Sequence, residues 1–232
     1  MTDLQGRSII VVGATGGLGR PIAAALSDAG ARLTLVGRND ARLVECGVPG
    51  EHVAVDIRLA ASPARVIDAA VGAYGGVDGI VYAAGAVAFG AVDELPDDVM
   101  IDLFTLNTLA PIRLLRAALP ALRASAAAGR DPFVAHISAV VAEQPQAGMA
   151  AYSASKAALA AFDTAAAREL RREGICLIDA RPPHTETGLA QRPLSGSAPR
   201  LPQGLDPQVV AQRVVDAISN DEKDLPSGAF SG

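Results

Sequence analysis

Tryptophan is absent from this 232-residue chain, and all aromatic residues together make up only 3% of it. A core must therefore be filled by small aliphatics, mainly Ala and Val. Half of the residues are hydrophobic, which excludes a disordered chain. That composition suits helices packed closely on a parallel sheet whose strands are buried on both faces. The two cysteines, Cys46 and Cys176, sit in apolar surroundings and read as reduced core residues, not as a disulfide. The three histidines lack metal-ligand spacing, so no metal is expected. Net charge is −5 with no basic run, which argues against nucleic acid and anionic membrane as partners. No apolar run approaches the roughly 18–20 residues of a membrane helix. The first seven residues carry no signal-peptide pattern, so the expected location is cytoplasmic. Lysine is nearly missing too: Lys156 and Lys223 are the whole complement.

Short apolar runs alternate with longer helical stretches. Strands are expected at 8–12, 32–36, 52–55, 77–82, 133–137 and 175–180, and helices at 19–29, 62–74, 151–172 and 207–219. A long helical stretch over 96–127 is expected to bend or break at Pro111 and Pro120. Strand–helix alternation implies an α/β fold, a doubly wound parallel sheet with helices on both faces, as a single domain over 1–232. Residues 182–206, rich in Pro, Gly and Ser, break the pattern. Placed after the sixth strand, they fall at the carboxyl edge where open α/β sheets bind ligands, and read as a substrate lid.

The first turn reads Gly13-Ala14-Thr15-Gly16-Gly17-Leu18-Gly19. Glycines between a strand and its helix let backbone approach a pyrophosphate, and the helix N-terminus offers free N–H groups to it. The alternative is a merely tight turn. After the second strand, Gly37 stands where NAD sites usually place an acid for the ribose 2′-hydroxyl, and Arg38 follows. A guanidinium fork suits a 2′-phosphate, which favours NADP(H) over NAD(H). Asp40 is near enough in sequence to compete for Arg38. Asp56, closing the third strand, is placed to accept a bond from the adenine amino group.

Tyr152 and Lys156 are four residues apart on a helix and share one face. A free tyrosine, with a pKa of about 10, is a poor base near neutrality. A neighbouring ammonium favours the phenolate, so the pair is expected to lower the tyrosine and fit it for proton transfer. Following the G-x-x-x-G-x-G turn, this Y-x-x-x-K resembles the short-chain dehydrogenase/reductase family in its compact, Rossmann-like form, from about residue 6 to 188. Tyr82-Ala83-Ala84-Gly85 is similar to the family's Asn-Asn-Ala-Gly segment, with both asparagines replaced. Asn107 matches its helix asparagine. Pro182-Pro183-His184-Thr185-Glu186-Thr187 resembles its Pro-Gly segment, with Pro183 in place of the glycine.

The resemblance implies an NADP(H)-dependent oxidoreductase interconverting a ketone or aldehyde and an alcohol. Tyr152 exchanges the proton, Lys156 holds the nicotinamide ribose, and Asn107 relays protons to solvent. Ala84, Gly85, Pro182 and Thr187 join the cofactor contacts, with Thr187 at the carboxamide. The family's oxygen-binding serine falls 13 residues before the tyrosine, which here is Ala139; Ser138 lies one earlier. Either an extra loop residue lets Ser138 serve, or the role is lost, or Ala139 marks a replacement. Losing such a donor typically costs about 10²–10³ in rate. The competing function is an NADP(H)-binding or sensing module without turnover. His184 and Glu186 lie near the expected nicotinamide face, as substrate contacts or as a solvated pair, and His136 reads as a core histidine. Ala147, Met149, Leu189 and Leu194 suggest an apolar substrate pocket. In the family the two long Ala-rich helices pack between subunits, which implies a homodimer; the short C-terminal segment makes a tetramer doubtful.

Overall fold

The computed structural model describes residues 2–230. Seven strands form one sheet: β1 (Ser8–Val12), β2 (Arg32–Gly37), β3 (Glu51–Ala54), β4 (Gly79–Tyr82), β5 (Phe133–Ile137), β6 (Cys176–Ala180) and β7 (Asp224–Leu225). Every pairing is parallel, in the order β3-β2-β1-β4-β5-β6-β7. The chain steps outward from β1 to β3 and then returns to lay β4 on the other side of β1. That reversal opens a crevice at the carboxyl ends of β1 and β4, the usual binding place of such sheets.

The helices are α1 (Gly19–Asp28), α2 (Asp40–Glu45), α3 (Ser62–Tyr74), α4 (Asp97–Phe104), α5 (Ala110–Ala127), α6 (Ala150–Leu170) and α7 (Pro207–Ser219). Strand alternation divides the core. Ile9 and Val11 of β1 pack in one layer with α1 and α7, and Ile10 and Val12 pack in the other with α3, α5 and α6. All residues of β1, β4 and β5 are buried, as expected where helices cover both faces.

Two local expectations change. The 96–127 stretch is interrupted ahead of Pro111, by a π-helical turn at Thr105–Leu109. Pro111 sits in the first turn of α5, where a missing N–H costs nothing, and α5 runs through Pro120. The additional helix α2 was not anticipated. Its cap is Asn39, whose side chain accepts from Arg42 N at 3.1 Å, and six residues carry too little periodicity to announce it.

Candidate active site

The glycine-rich turn joins β1 to α1. Gly13 has a φ of +83°, and a Cβ there would lie 2.8 Å from Ala84 N. A Cβ on Gly17 would strike the Thr187 carbonyl, and one on Gly19 would strike Gly13 O. Three separate parts of the sequence — this turn, Ala84 after β4, and Thr187 after β6 — therefore meet at a spacing that only glycine permits. Leu18, the N-cap of α1, supplies no capping oxygen, so no side chain takes the first-turn N–H groups. A Cβ-free turn lets a phosphate approach the backbone, although Arg20 N is spent on Gly16 O and Pro21 has no N–H. Arg38 is exposed just beyond β2 and, among the described residues, makes no salt bridge, with Asp40 or another acid, though its charge helps to lower Asp56. Asp56 is more occupied than expected. Arg58 grips both of its oxygens, at 2.7 Å for the closest contact, and holds its carboxyl below the usual range.

Tyr152 and Lys156 lie on the first two turns of α6, 7% and 4% exposed. Lys156 Nζ donates to Ile137 O at the end of β5, at 2.8 Å. Gly85 is their neighbour: a Cβ on it would make ordinary contact, 3.5 Å from Lys156 Nζ and 3.4 Å from Asn107 Oδ1. Asn107 occupies the π-helical turn and is fully buried. It accepts from Ala86 N and donates to Ala86 O, both at 2.9 Å, and donates to Ser155 Oγ at 3.0 Å. Ser155 Oγ donates in turn to Tyr152 O, and Thr108 Oγ1 to Ser155 O, both at 2.8 Å. Such turns disrupt the regular helical ladder and recur at functional sites. The structure thus brings Tyr152, Lys156, Asn107 and Gly85 together.

The electrostatics differ from the expectation. Burial pushes the Tyr152 phenol up to about 12, not down. Burial also pulls Lys156 down to about 8, against the opposing pull of Asp179 and Asp163. The protein's own groups therefore hold a neutral phenol, a proton donor, beside a lysine poised near neutrality.

Ser138 is not brought to Tyr152. Its buried hydroxyl donates to Asp179 Oδ1 on β6. Ala139, on extended backbone, points the other way and packs in the apolar cluster around Tyr152 with Val141, Met149 and Leu189. Residues 182–206 are pinned over this cluster: Leu194 N donates to Val87 O at 2.8 Å, and Phe89 N to Ser195 O at 2.9 Å. His184 Nε2 stands 3.4 Å from Glu186 Oε1, which also accepts from Gly204 N, so that pair braces the segment.

A family model described as short chain dehydrogenase matches residues 7–196. The chain belongs to the short chain dehydrogenase family. It is 32% identical over 198 residues to a short chain dehydrogenase of Pseudocercospora fijiensis; the match spans 81% of this chain and 62% of that one. A 3-ketoacyl-(acyl-carrier-protein) reductase from Brucella melitensis, solved with NADH, superposes with TM-score 0.87 at 20% identity, covering 98% and 99% of the two chains. A Burkholderia cenocepacia short chain dehydrogenase solved with NADP gives 0.83 at 22%, covering 99% and 91%. Membership places this chain among the oxidoreductases. Among the described residues, no helix is long and apolar enough to cross a membrane.

Sequence reasoning missed several residues of this short chain dehydrogenase's site. Ser155 links Asn107 to α6 from inside the Y-x-x-x-K motif. Arg42, on the unforeseen α2, brings its guanidinium within 3.4 Å of Thr15 O. Arg181 pairs with Asp179, Glu143 and Asp224 at 2.5–2.6 Å, tying β6 to β7 and to the loop after Ala139. An acid inside an otherwise apolar strand, Asp179, was the available signal, because a buried carboxylate requires a partner.

Proposed function

We propose that this protein is an NADP(H)-dependent carbonyl reductase or alcohol dehydrogenase acting on a small, largely apolar substrate. The observation that carries the reading is Tyr152 set one turn from Lys156 on α6, inside an apolar cluster and beside Asn107. Gly13, Thr15, Gly16, Gly17, Leu18 and Gly19 would cradle the pyrophosphate, with Ala84, Gly85, Pro182 and Thr187 along the rest of the cofactor and Asp56 toward the adenine. Arg38, unpaired among the described residues, suits a 2′-phosphate. Bound NADP(H) supplies or accepts the hydride.

The chain's own part is the proton. Tyr152, protonated across the neutral range, donates to the carbonyl oxygen during reduction and takes the proton back during oxidation. Lys156 stabilises the phenolate so formed and orients the cofactor's ribose. Asn107, its side chain held by three hydrogen bonds, keeps the π-helical turn beside Lys156 as a route for proton replacement. Ala139 offers a methyl group where an oxygen-binding hydroxyl is usual, so Tyr152 carries more of the load. Val141, Met149 and Leu189 around Tyr152 favour an apolar substrate. The exposed faces of α5 and α6 suit pairing of two copies.

The test is NADPH oxidation against a panel of apolar ketones and aldehydes. Turnover is expected, with Tyr152→Phe losing about 10²–10⁴-fold in kcat while NADPH still binds. Tight NADPH binding without turnover across the panel would favour a binding module instead.

A further inference from the structure

Beneath Lys156 lies a buried His–Asp pair that proton transfer at Tyr152 does not itself require. Asp163 follows Lys156 by seven residues, two turns along the same face of α6. Its Oδ1 is 2.8 Å from His136 Nδ1 on β5, both side chains being 1% exposed. Its Oδ2 is buried with no hydrogen-bond partner. His136 immediately precedes Ile137, whose carbonyl accepts from Lys156. Helix α6 is therefore clipped to β5 at two consecutive residues, once through Asp163 and once through Lys156. Other groups face the same space. Asp179 of β6 is in register with His136 and is held by Ser138 and Arg181. Tyr82 of β4 sets its ring edge-on to His136, 6.2 Å between centroids, and Tyr152 lies one turn before Lys156.

We propose that His136 and Asp163 are a positioning pair for Lys156, seating α6 on β5 and supplying the buried negative charge that keeps the lysine head cationic. The proposal rests on the reading of Lys156 as the partner of Tyr152. An ammonium that is 4% exposed, with one hydrogen bond among the described residues, needs nearby negative charge to remain an ammonium. Asp179 acts on it more strongly than Asp163 does. The charge of Asp179, however, is matched by Arg181 at 2.6 Å. Asp163 has only an imidazole. Burial raises the Asp163 carboxyl and the His136 bond opposes that rise; with Nδ1–H donated to Oδ1, the charge retained lies on the helix face that carries Lys156.

With two lysines in the chain, the test reads this directly. Protein labelled with ¹³Cε-lysine gives side-chain resonances for Lys156 and for the exposed Lys223, which serves as the internal reference. Asp163→Asn preserves shape and the bond from His136 but removes the charge. The Lys156 midpoint is expected to fall by about one pH unit. The alkaline limb of kcat/KM falls with it, and kcat changes more than KM for NADPH. His136→Gln leaves the carboxylate charged and is expected to hold the midpoint or raise it. An unmoved Lys156 midpoint in Asp163→Asn, or a lowered one in His136→Gln, overturns the proposal. The second variant decides the matter if the first fails to fold. Because the titration needs no turnover, an inactive protein that still shows the fall sinks only the reductase reading. An active one with unmoved titration sinks only the pair.

Discussion

The two ends of the binding crevice are held by different means. At the β1–α1 turn, backbone meets backbone: Gly13 against Ala84, Gly17 against Thr187, Gly19 against Gly13. At the β5–β6 end, side chains do the holding: Ser138 to Asp179, Asp179 to Arg181, Arg181 to Glu143 and Asp224. A backbone contact admits one residue type, so the first end has almost no freedom to vary. A side-chain network has many solutions, and the one here leaves Ala139 in the apolar cluster around Tyr152 while Ser138 bonds Asp179. The first end carries the contacts proposed for the dinucleotide; the second carries the residues proposed to meet a substrate oxygen.

Four substitutions probe that contrast. The largest effect is expected at the rigid end. Gly17→Val forces its side chain against the Thr187 backbone, and overpacking of this kind costs about 1–3 kcal/mol in stability. Thermal unfolding should report that loss, and NADPH affinity measured by fluorescence should fall at least tenfold. Arg38→Ala comes next, at the exposed margin of the same end. A charged hydrogen bond is worth about 1.5–3 kcal/mol, so NADPH should bind about 10–100-fold more weakly, with NADH little changed. Equal losses for both cofactors would remove the 2′-phosphate assignment. The smallest change is expected at the adaptable end. Ala139→Ser should raise kcat about tenfold by restoring an oxygen-binding donor. Ser138→Ala should leave kcat within about twofold while lowering stability by about 1 kcal/mol, because it strips a bond from buried Asp179. A large kcat loss in Ser138→Ala would return the catalytic role to that serine.

The same contrast explains what could be read from the sequence. The order of strands and the glycine spacing are local signals, and β1 and α3 fell within a residue of their expected limits. Tyr152 and Lys156 are one helical turn apart, a relation that sequence expresses directly. The π-helical turn at Asn107 was hidden because a hydrogen-bond shift leaves no mark on periodicity. Helix α2 was hidden because its six residues rest on one Asn39 cap. The ambiguity between Ser138 and Ala139 turned on which way consecutive residues face beyond the end of β5, and that is fixed by Asp179, 41 residues away. The direction of the Tyr152 shift was misjudged for a related reason. Proximity to Lys156 is visible along the helix, whereas burial by residues from four other segments is not.

The outermost strands carry a consequence of another kind. One border of the sheet is β3, four residues long, with Glu51 exposed and His52 half-exposed. The other is β7, two residues long, led by exposed Asp224 and followed at once by Pro226. Short, charged or proline-stopped borders give a stray strand few hydrogen bonds to add to and a penalty for trying. A core built from so many valines and isoleucines would, with open borders, template its own aggregation. Here it is sealed at both sides, so the molecule should withstand concentration better than its apolar content suggests.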